Sequence, residues 1–437
     1  MNVFKNCLGV SDMATKQFLY NGNIRSRLCY ICEEIFTGKT PIYDFDNEKY
    51  IIIGQKNNQK SKITLTDCKY ANEDFYKTNS PKMFLKKGDS LLNSLGGGSV
   101  GRIGYFDLDR NDILTDGHPI IFRPNKENNP KYVFYALYNE QEQFEKMAVG
   151  STNQCFLNIS DVNHFEIPIV NLQKQKQIAD FLDEKCGEID TLTNDIQEQI
   201  ETLEEYKKSI ITEAVTKGLD PNVEMKDSGI EWIGKIPKHW MIYRYKHLTS
   251  LVRGGSPRPA GNPIYYYGDI PFMKVADITK DDRMYVNSCE GSIKPAGLSN
   301  TRMVSKGTLL LTNSGATLGV PKILNIDTTI NDGIAAFLNL SHKLNIKFAY
   351  YSLKSKTEYF LQVAALGMGQ PNLNTDIIGN TYVTIPPKYE QQKIINFLDV
   401  KCAEIDTVIE TKKKQLSLIE EYKKSLIYEY VTGKKEV

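Results

Sequence analysis

Phe181-Leu-Asp-Glu-Lys-Cys-Gly-Glu-Ile-Asp-Thr191 returns as Phe397-Leu-Asp-Val-Lys-Cys-Ala-Glu-Ile-Asp-Thr407, and Glu204-Glu-Tyr-Lys-Lys-Ser209 returns as Glu420-Glu-Tyr-Lys-Lys-Ser425. Cys186 and Cys402, like Tyr206 and Tyr422, stand 216 residues apart, and no gap is needed between the copies. Solenoid repeats have periods of roughly 20–50 residues, so this spacing reads as one module written twice. Within the run, Leu182, Ile189, Ile196, Leu203 and Ile210 recur every seven residues, with Ile178, Leu192 and Tyr206 as a second row. The second copy supplies Leu398, Ile405, Ile419 and Leu426, with Ile394, Val408 and Tyr422. Apolar spacing of seven over several heptads predicts a coiled coil. Lys412 stands where Ile196 stands in the first copy, and Lys185, Lys401, Gln199 and Gln415 also interrupt the seam. Such interruptions weaken a coiled coil but fix its register. No Gly or Pro falls between Glu188 and Lys217. A helix of about 40 residues is roughly 60 Å long.

The 437 residues predict two to four domains, and 41% apolar residues suffice for packed cores. No apolar run reaches the length of a membrane span, and Met1 to Tyr20 lacks a signal-peptide core. Eight scattered cysteines predict a reduced, cytoplasmic protein. Cys29-Tyr-Ile-Cys32 has metal-like spacing, but without a second such pair it reads as buried thiols. The net charge of +1 hides a division: residues 241–384 carry 15 Lys+Arg against 9 Asp+Glu, residues 171–217 carry 6 against 11. A basic globular region beside an acidic helix suits a protein that sets one region against phosphates.

The repeat includes the globular regions. The segments ending Thr37-Gly-Lys-Thr-Pro41 and Arg253-Gly-Gly-Ser-Pro257 both close in a Gly-x-Ser/Thr-Pro turn. Strand-like Tyr50-Ile-Ile-Ile53 corresponds to Ile270-Pro-Phe-Met-Lys-Val275, and Lys87-Gly-Asp-Ser-Leu-Leu92 to Lys306-Gly-Thr-Leu-Leu-Leu311. Each of the latter leads into a small-residue loop, 94–101 or 313–319. Gln154-Cys-Phe-Leu-Asn158 and Gln370-Pro-Asn-Leu-Asn374 are again 216 apart. Between the copies, Gly218 and Pro221 stop the first helix, and both tryptophans, Trp232 and Trp240, occur in the linker that follows. They are expected to pin it to a surface.

The linker Gly218-Leu-Asp-Pro-Asn-Val223, its continuation Met225-Lys-Asp-Ser-Gly-Ile-Glu-Trp-Ile-Gly-Lys-Ile-Pro-Lys-His-Trp240, and the helix motifs Gln-x-x-Ile-x-x-Phe-Leu-Asp and Ile-Asp-Thr resemble the DNA-specificity (S) subunit of Type I restriction-modification systems. The likeness runs from about Arg27 to Lys435, and only Met1 to Ile24 lacks the Trp-containing lead-in of the second copy. The resemblance implies an α+β chain. Two target-recognition domains of mixed strands and short helices, 1–170 and 241–385, would be separated by two long antiparallel coiled-coil helices, 171–217 and 386–437. A linker, 218–240, would join the copies, and a pseudo-twofold would relate them. It implies double-stranded DNA, two modification (methyltransferase) subunits and motor-nuclease restriction subunits as partners, with no cofactor and no catalytic centre in the chain itself.

The residues agree about chemistry. Thr37-Gly-Lys-Thr40 imitates the end of a phosphate loop, but Glu33 occupies the required first Gly and Pro41 follows. Ile385-Pro-Pro-Lys388 lacks the polar and aromatic flanks that hold a flipped base. The five histidines form no metal-binding or nucleophile motif.

Sequence is read at base edges, where Arg or Lys suits guanine and Asn or Gln suits adenine, whereas phosphate contacts position the protein. The candidates in the first half are Lys39, Gln55, Lys56, Asn57, Asn58, Lys60, Ser94, Arg102 and Gln154. Those in the second are Arg253, Ser256, Arg258, Lys280, Arg283, Thr312, Asn313, Thr317, Gln370 and Asn372. Because the two sets differ, the expected site is asymmetric, two unlike halves around an unread spacer. The competing expectation is a coiled-coil adaptor that binds only proteins.

Overall fold

The computed structural model describes residues 11–12, 17–20, 23–46, 48–59, 61–150, 155–315, 317–365 and 372–437. The long runs are helices: α1 is Leu172–Lys217 and α2 is Lys388–Val431. The chain forms two compact units, Met1–Ile196 with Lys414–Val437, and Gln197–Lys413. Each unit therefore combines a globular region with a stretch of both helices.

In the first unit, strands β1 (Cys32–Thr37), β2 (Ser90–Asn93), β3 (Ile103–Tyr105) and β4 (Pro119–Pro124) lie in the order β1-β4-β2-β3, and Lys62–Ile63 adds in parallel beside β3. The second unit repeats this plan. Strands β5 (Ser250–Arg253), β6 (Leu309–Thr312), β7 (Pro321–Leu324) and β8 (Ile334–Leu338) lie in the order β5-β8-β6-β7, with Tyr285–Val286 parallel beside β7. Strands β2 and β6 are buried throughout because both sheet faces are covered. Side chains alternate across a strand. Leu92, Ile120 and Phe122 accordingly join the core that includes α1, while Leu91 and Ile121 join Ile53, Leu85 and Phe106 on the other face. In the second unit, Leu309, Leu311 and Phe337 face Phe348 and Leu398, and Leu310 and Ala336 face Met273 and Ile278.

One docking device is built twice. A short helix, Pro130–Asn139 or Ile346–Lys354, follows the sheet and starts at an asparagine cap, Asn129 or Asn345. The cap's own N–H donates to Gln175 Oε1 at 2.7 Å in the first unit and to Gln391 Oε1 at 2.8 Å in the second. One turn on, Lys131 and Tyr135 reach Asp183 at 3.1 and 2.7 Å, and Lys347 and Tyr351 reach Asp399 at 2.6 and 2.7 Å. The edge is also closed alike, by Glu166–Pro168 against Arg25 to Arg27 and by Tyr382–Ile385 against Met241–Arg244. The first unit thus closes its edge without the Trp-containing lead-in.

The helix pairing is antiparallel within each unit. In the second, Gln199 meets Lys412 and Lys207 meets Asp406. In the first, Phe181 packs on Tyr430 and Asp190 meets Lys423. The seam differs from the sequence expectation in its second row, of which Ile178 and Ile394 are buried and the other four are not. Leu192, Tyr206, Val408 and Tyr422 are 43–59% exposed, whereas Cys186, Ile200, Lys207, Ala214, Cys402 and Ile409 are buried. The inner row lies four residues after each Leu182-type position rather than three. Cysteine, alanine and lysine at those positions hide it from a search for large apolar residues. Cys29 is exposed and only Cys32 is a buried thiol, so that pair is corrected by half.

Both tryptophans pin the linker as expected, Trp232 to the second globular region and Trp240 to the start of α2. Trp240 is fully buried and its Nε1 donates to Glu390 Oε2 at 2.8 Å, while Glu390 Oε1 lies 2.7 Å from His239 Nε2. Trp232 stacks on Tyr359 at 5.2 Å, and Lys356 Nζ lies 5.4 Å from its ring. Lys356 is buried and donates to the carbonyl and the hydroxyl of Ser352, at 2.6 and 2.7 Å. Burial pushes its ammonium down to about 7. A free lysine stays protonated to a pH of about 10.4. Between about 7 and 10.4 the unfolded chain therefore binds the extra proton, and stability rises with pH across that window. Lys356→Met is expected to remove this rise and to stabilise the chain at pH 7 by about 2–4 kcal/mol. Unfolding followed at pH 7 and pH 10 checks it; a variant whose stability climbs as steeply as the parent's would contradict the assignment.

Candidate nucleic-acid interface

At the ends of the central strands, the same turns converge in each unit. In the second, Gly254 follows β5 and lies so close to the turn before β8 that an added Cβ would stand 2.2 Å from Asn331 O. In the first, Gly38 follows β1 and an added Cβ would stand 2.1 Å from Thr115 O. Only glycine allows such backbone contact. The small-residue loop joins from a third side: Asn313 N donates to Gly333 O at 2.9 Å, and the hydroxyl of Ser94 donates to His118 O. A fourth segment closes the group, since Leu373 N donates to Asn313 O at 2.7 Å and Leu157 N to Ser94 O at 2.8 Å.

In the second unit these turns gather polar side chains around Asp332. Its Oδ1 accepts from Ser256 Oγ at 2.7 Å, its Oδ2 from Arg258 Nη2 at 3.2 Å, and its carbonyl from Arg253 Nε at 2.7 Å. Partial burial would raise the Asp332 carboxyl, but the Ser256 hydroxyl, a backbone N–H and the two guanidiniums hold it below the usual range. Arg253 and Arg258 are exposed on the rim, as are Thr317 and Asn372, which is bridged to Ser314.

Two other candidates, Thr312 and Asn313, are turned inward, and those expectations are corrected, whereas Lys280 and Arg283 stay exposed in ion pairs. Thr312 is buried, donating to Thr317 O at 2.8 Å and accepting from Val320 N at 2.9 Å. Asn313 is buried as well. Lys280 is taken by Glu290 at 3.2 Å. Arg283 is taken by Asp281 through its Nε at 2.7 Å, and it lines a cavity with Lys207 and Asp406 of the helices.

In the first unit Lys39 and Lys56 are exposed, and Ser94 and Arg102 are half-buried. Asn57 and Asn58 are 1% exposed. Asn57 Nδ2 donates to Thr66 O at 2.9 Å, and Asn58 Nδ2 to Asn93 Oδ1 at 3.0 Å. Gln55 Oε1 accepts from Leu95 N at 3.0 Å, and Arg102 Nη1 donates to Asn58 O at 3.3 Å. The Asn57 and Asn58 amides are thus turned inward, with Asn58 Oδ1 buried and without a hydrogen-bond partner among the described residues. This polar run therefore braces the small-residue loop from beneath, and Lys56 and Gln59 are its outward members among the described residues. Lys60, Gln154 and Gln370 lie outside the described residues.

Sequence reasoning missed Asp332 and its counterpart Asp116. The signal was available: Asp116-Gly117 and Asp332-Gly333 are 216 residues apart. In the first unit Asp116 Oδ1 accepts from His118 N at 3.1 Å.

The sequence model of the family described as Type I restriction modification DNA specificity domain matches residues 27–202 and 237–420. A protein of Methanocaldococcus jannaschii named putative type I restriction enzyme MjaX specificity subunit is 27% identical over 415 residues, 92% of this chain and 91% of its own. The type I restriction enzyme MjaVIII specificity subunit of the same organism is 26% identical over 376 residues, 82% of each chain. A chain from a structural study of complex assembly and conformational transition of the type I R-M system shares the fold. Its TM-score is 0.69 at 16% identity, over 95% of this chain and 99% of that one.

Gly254→Ala drives a Cβ into two backbone carbonyls, 2.2 and 2.4 Å away, that have no side chain to yield. It is expected to lower stability by about 1–3 kcal/mol. Gly187→Ala points into open space on α1, where the second copy already has Ala403. It is expected to stabilise by about 0.5–1 kcal/mol. Thermal unfolding of the two variants checks both signs.

Proposed function

The chain belongs to the family of Type I restriction-modification DNA specificity subunits, and from that premise we propose that each of its units reads one half of a split, asymmetric DNA site. The globular region spanning residues 1–170 would read the first half through Lys39, Lys56, Ser94 and Arg102. The globular region spanning residues 241–385 would read the second through Arg253, Ser256, Arg258, Thr317 and Asn372. Gln154 and Gln370 lie beside these loops in sequence and belong to the same proposal. One observation carries the reading: the same four converging segments are built twice, and the side chains mounted on them differ.

In this reading the chain performs no bond chemistry. It selects DNA and holds two modification subunits, which methylate, and motor-nuclease subunits, which cleave. The helices α1 and α2 set the spacing. Half-sites on one face of B-DNA recur about every 34–36 Å, one helical turn. No helix among the described residues is long and apolar enough to cross a membrane.

Two measurements test the proposal. Exchange of both Arg253 and Arg258 for Ala is expected to weaken binding to the cognate duplex about 10- to 1000-fold. It should erase preference in the second half-site only, as bidentate base contacts are worth about 1–3 kcal/mol each. Binding should fall steeply with salt, with a logarithmic slope near −0.9 per phosphate contact. Separately, lengthening both helices by one heptad is expected to widen the unread spacer while leaving both half-sites unchanged, as mapped by methylation in cells carrying the whole complex. A spacer that stays the same would count against the ruler, and salt-insensitive association with DNA would count against base reading.

A further inference from the structure

Two arginines on one exposed loop pose a physical problem. A free guanidinium binds a DNA phosphate as readily as a guanine edge, and phosphate contacts carry no sequence information. A loop that reads bases must therefore hold its arginines back from the backbone and aim them. Asp332 is placed to do both. Its side chain accepts from Ser256 Oγ and Arg258 Nη2, and its carbonyl takes Arg253 Nε. Three residues proposed as readers are thus tied to one acidic residue, which sits on a turn wedged against Gly254.

We propose that Asp332 is a specificity-determining positioning residue, restraining Arg253 and Arg258 so that they meet base edges in the second half-site rather than phosphates. This rests on the reading of the second unit as a DNA reader. The carboxylate acts in two ways. It fixes the long side chain of Arg258, whose rotamer freedom would otherwise be lost on binding at roughly 0.5–1.5 kcal/mol, while the backbone carbonyl of the same residue holds Arg253. Its charge also offsets one guanidinium, which lowers the attraction of the loop for any duplex regardless of sequence. The device is specific to the second unit. The corresponding carboxyl in the first, Asp116, accepts a backbone N–H from His118, and burial there raises it above the usual range.

The predicted consequence is unusual for the loss of a side chain at a binding site. Asp332→Asn keeps the shape and removes the charge. It is expected to raise affinity for a duplex lacking the site by about three- to tenfold, and to steepen the salt dependence by about one phosphate contact. Discrimination within the second half-site should fall ten- to hundredfold. The first half-site, read by the other unit, is the internal control and should not change. Asp332→Glu restores the carboxylate and should recover most of the discrimination, which a merely structural loss would not allow.

The test is enrichment of randomised duplexes by the full-length chain in complex with its partner subunits, at two salt concentrations, for the parent and both variants, with melting temperatures alongside. A parent complex that enriches no two-part motif would sink the DNA-reading assignment and this inference together. A parent that enriches one, with an Asp332→Asn complex that enriches the same motif as stringently, would overturn the inference alone. So would a loss of affinity for all duplexes, since that would mean the carboxylate aids binding rather than restrains it. Should Asp332→Asn melt far below the parent, the Asp332→Glu complex decides: parental stability with lost discrimination would refute the role of charge.

Discussion

A lysine buried in the seam of a helix pair is the constraint on which much else depends. Lys207 is 7% exposed and reaches Asp406 at 2.6 Å and Asp282 at 3.0 Å. Burial alone would drive off its proton, but the two carboxylates outweigh that effect and hold it charged. The repeat places Lys423 against Asp190 in the same way. Leucine and isoleucine layers are tolerant of sliding by a heptad, because each knob finds a similar hole one step on. A buried charge is not, since a slip would leave it without its counter-ion in an apolar layer. Polar seam residues are best attested in this register-setting role. In the second unit Asp282 extends the constraint outward, because it also takes Lys354 of the globular region at 2.5 Å.

From a fixed register the rest follows by docking. Gln175 and Asp183 on α1, and Gln391 and Asp399 on α2, receive the same cap, lysine and tyrosine from each short helix. Those helices pack on the central sheets, and the sheets end in the turns that converge at Gly38 and Gly254. The chain of contacts runs from helix seam to exposed loop within each unit, with few soft steps. That is what a reader of DNA requires, because a guanidinium misplaced by an ångström loses a bidentate contact outright.

How much of this the sequence carries can be argued residue by residue. The long helices were legible because apolar residues recur at Leu182, Ile189 and Ile196 without a breaker, and strands β2 and β6 because Leu91-Leu92 and Leu309-Leu310-Leu311 follow turn signals. The inner seam row was not, because Cys186, Lys207 and Ala214 do not look apolar or large, while Leu192 and Tyr206 do and face outward. The loops of the candidate site are legible in the sequence, but which of their side chains turn inward is not. Asn57 and Asn58 have the chemistry of adenine readers but are turned inward, onto Thr66 O and Asn93 Oδ1, and composition cannot distinguish an amide turned in from one turned out. Asp332 was missed for the opposite reason: an acidic residue is not an obvious member of a site that meets phosphates.

An acid among the arginines bears on how recognition surfaces diverge. The two units share topology, caps, docking contacts and glycine approaches, so the duplicated framework places few demands on what is mounted at the loop tips. The demand that remains is electrostatic. Each added arginine raises affinity for every duplex at once, and a reader with only cations gains binding faster than it gains discrimination. Discrimination is a difference between affinities, and it grows when the unwanted partner is penalised as well as when the wanted one is rewarded. An acid set among the arginines supplies that penalty locally, without altering the sheet or the helices beneath. Such a loop can exchange its cations over evolutionary time and keep its selectivity, provided the carboxylate stays within reach of them.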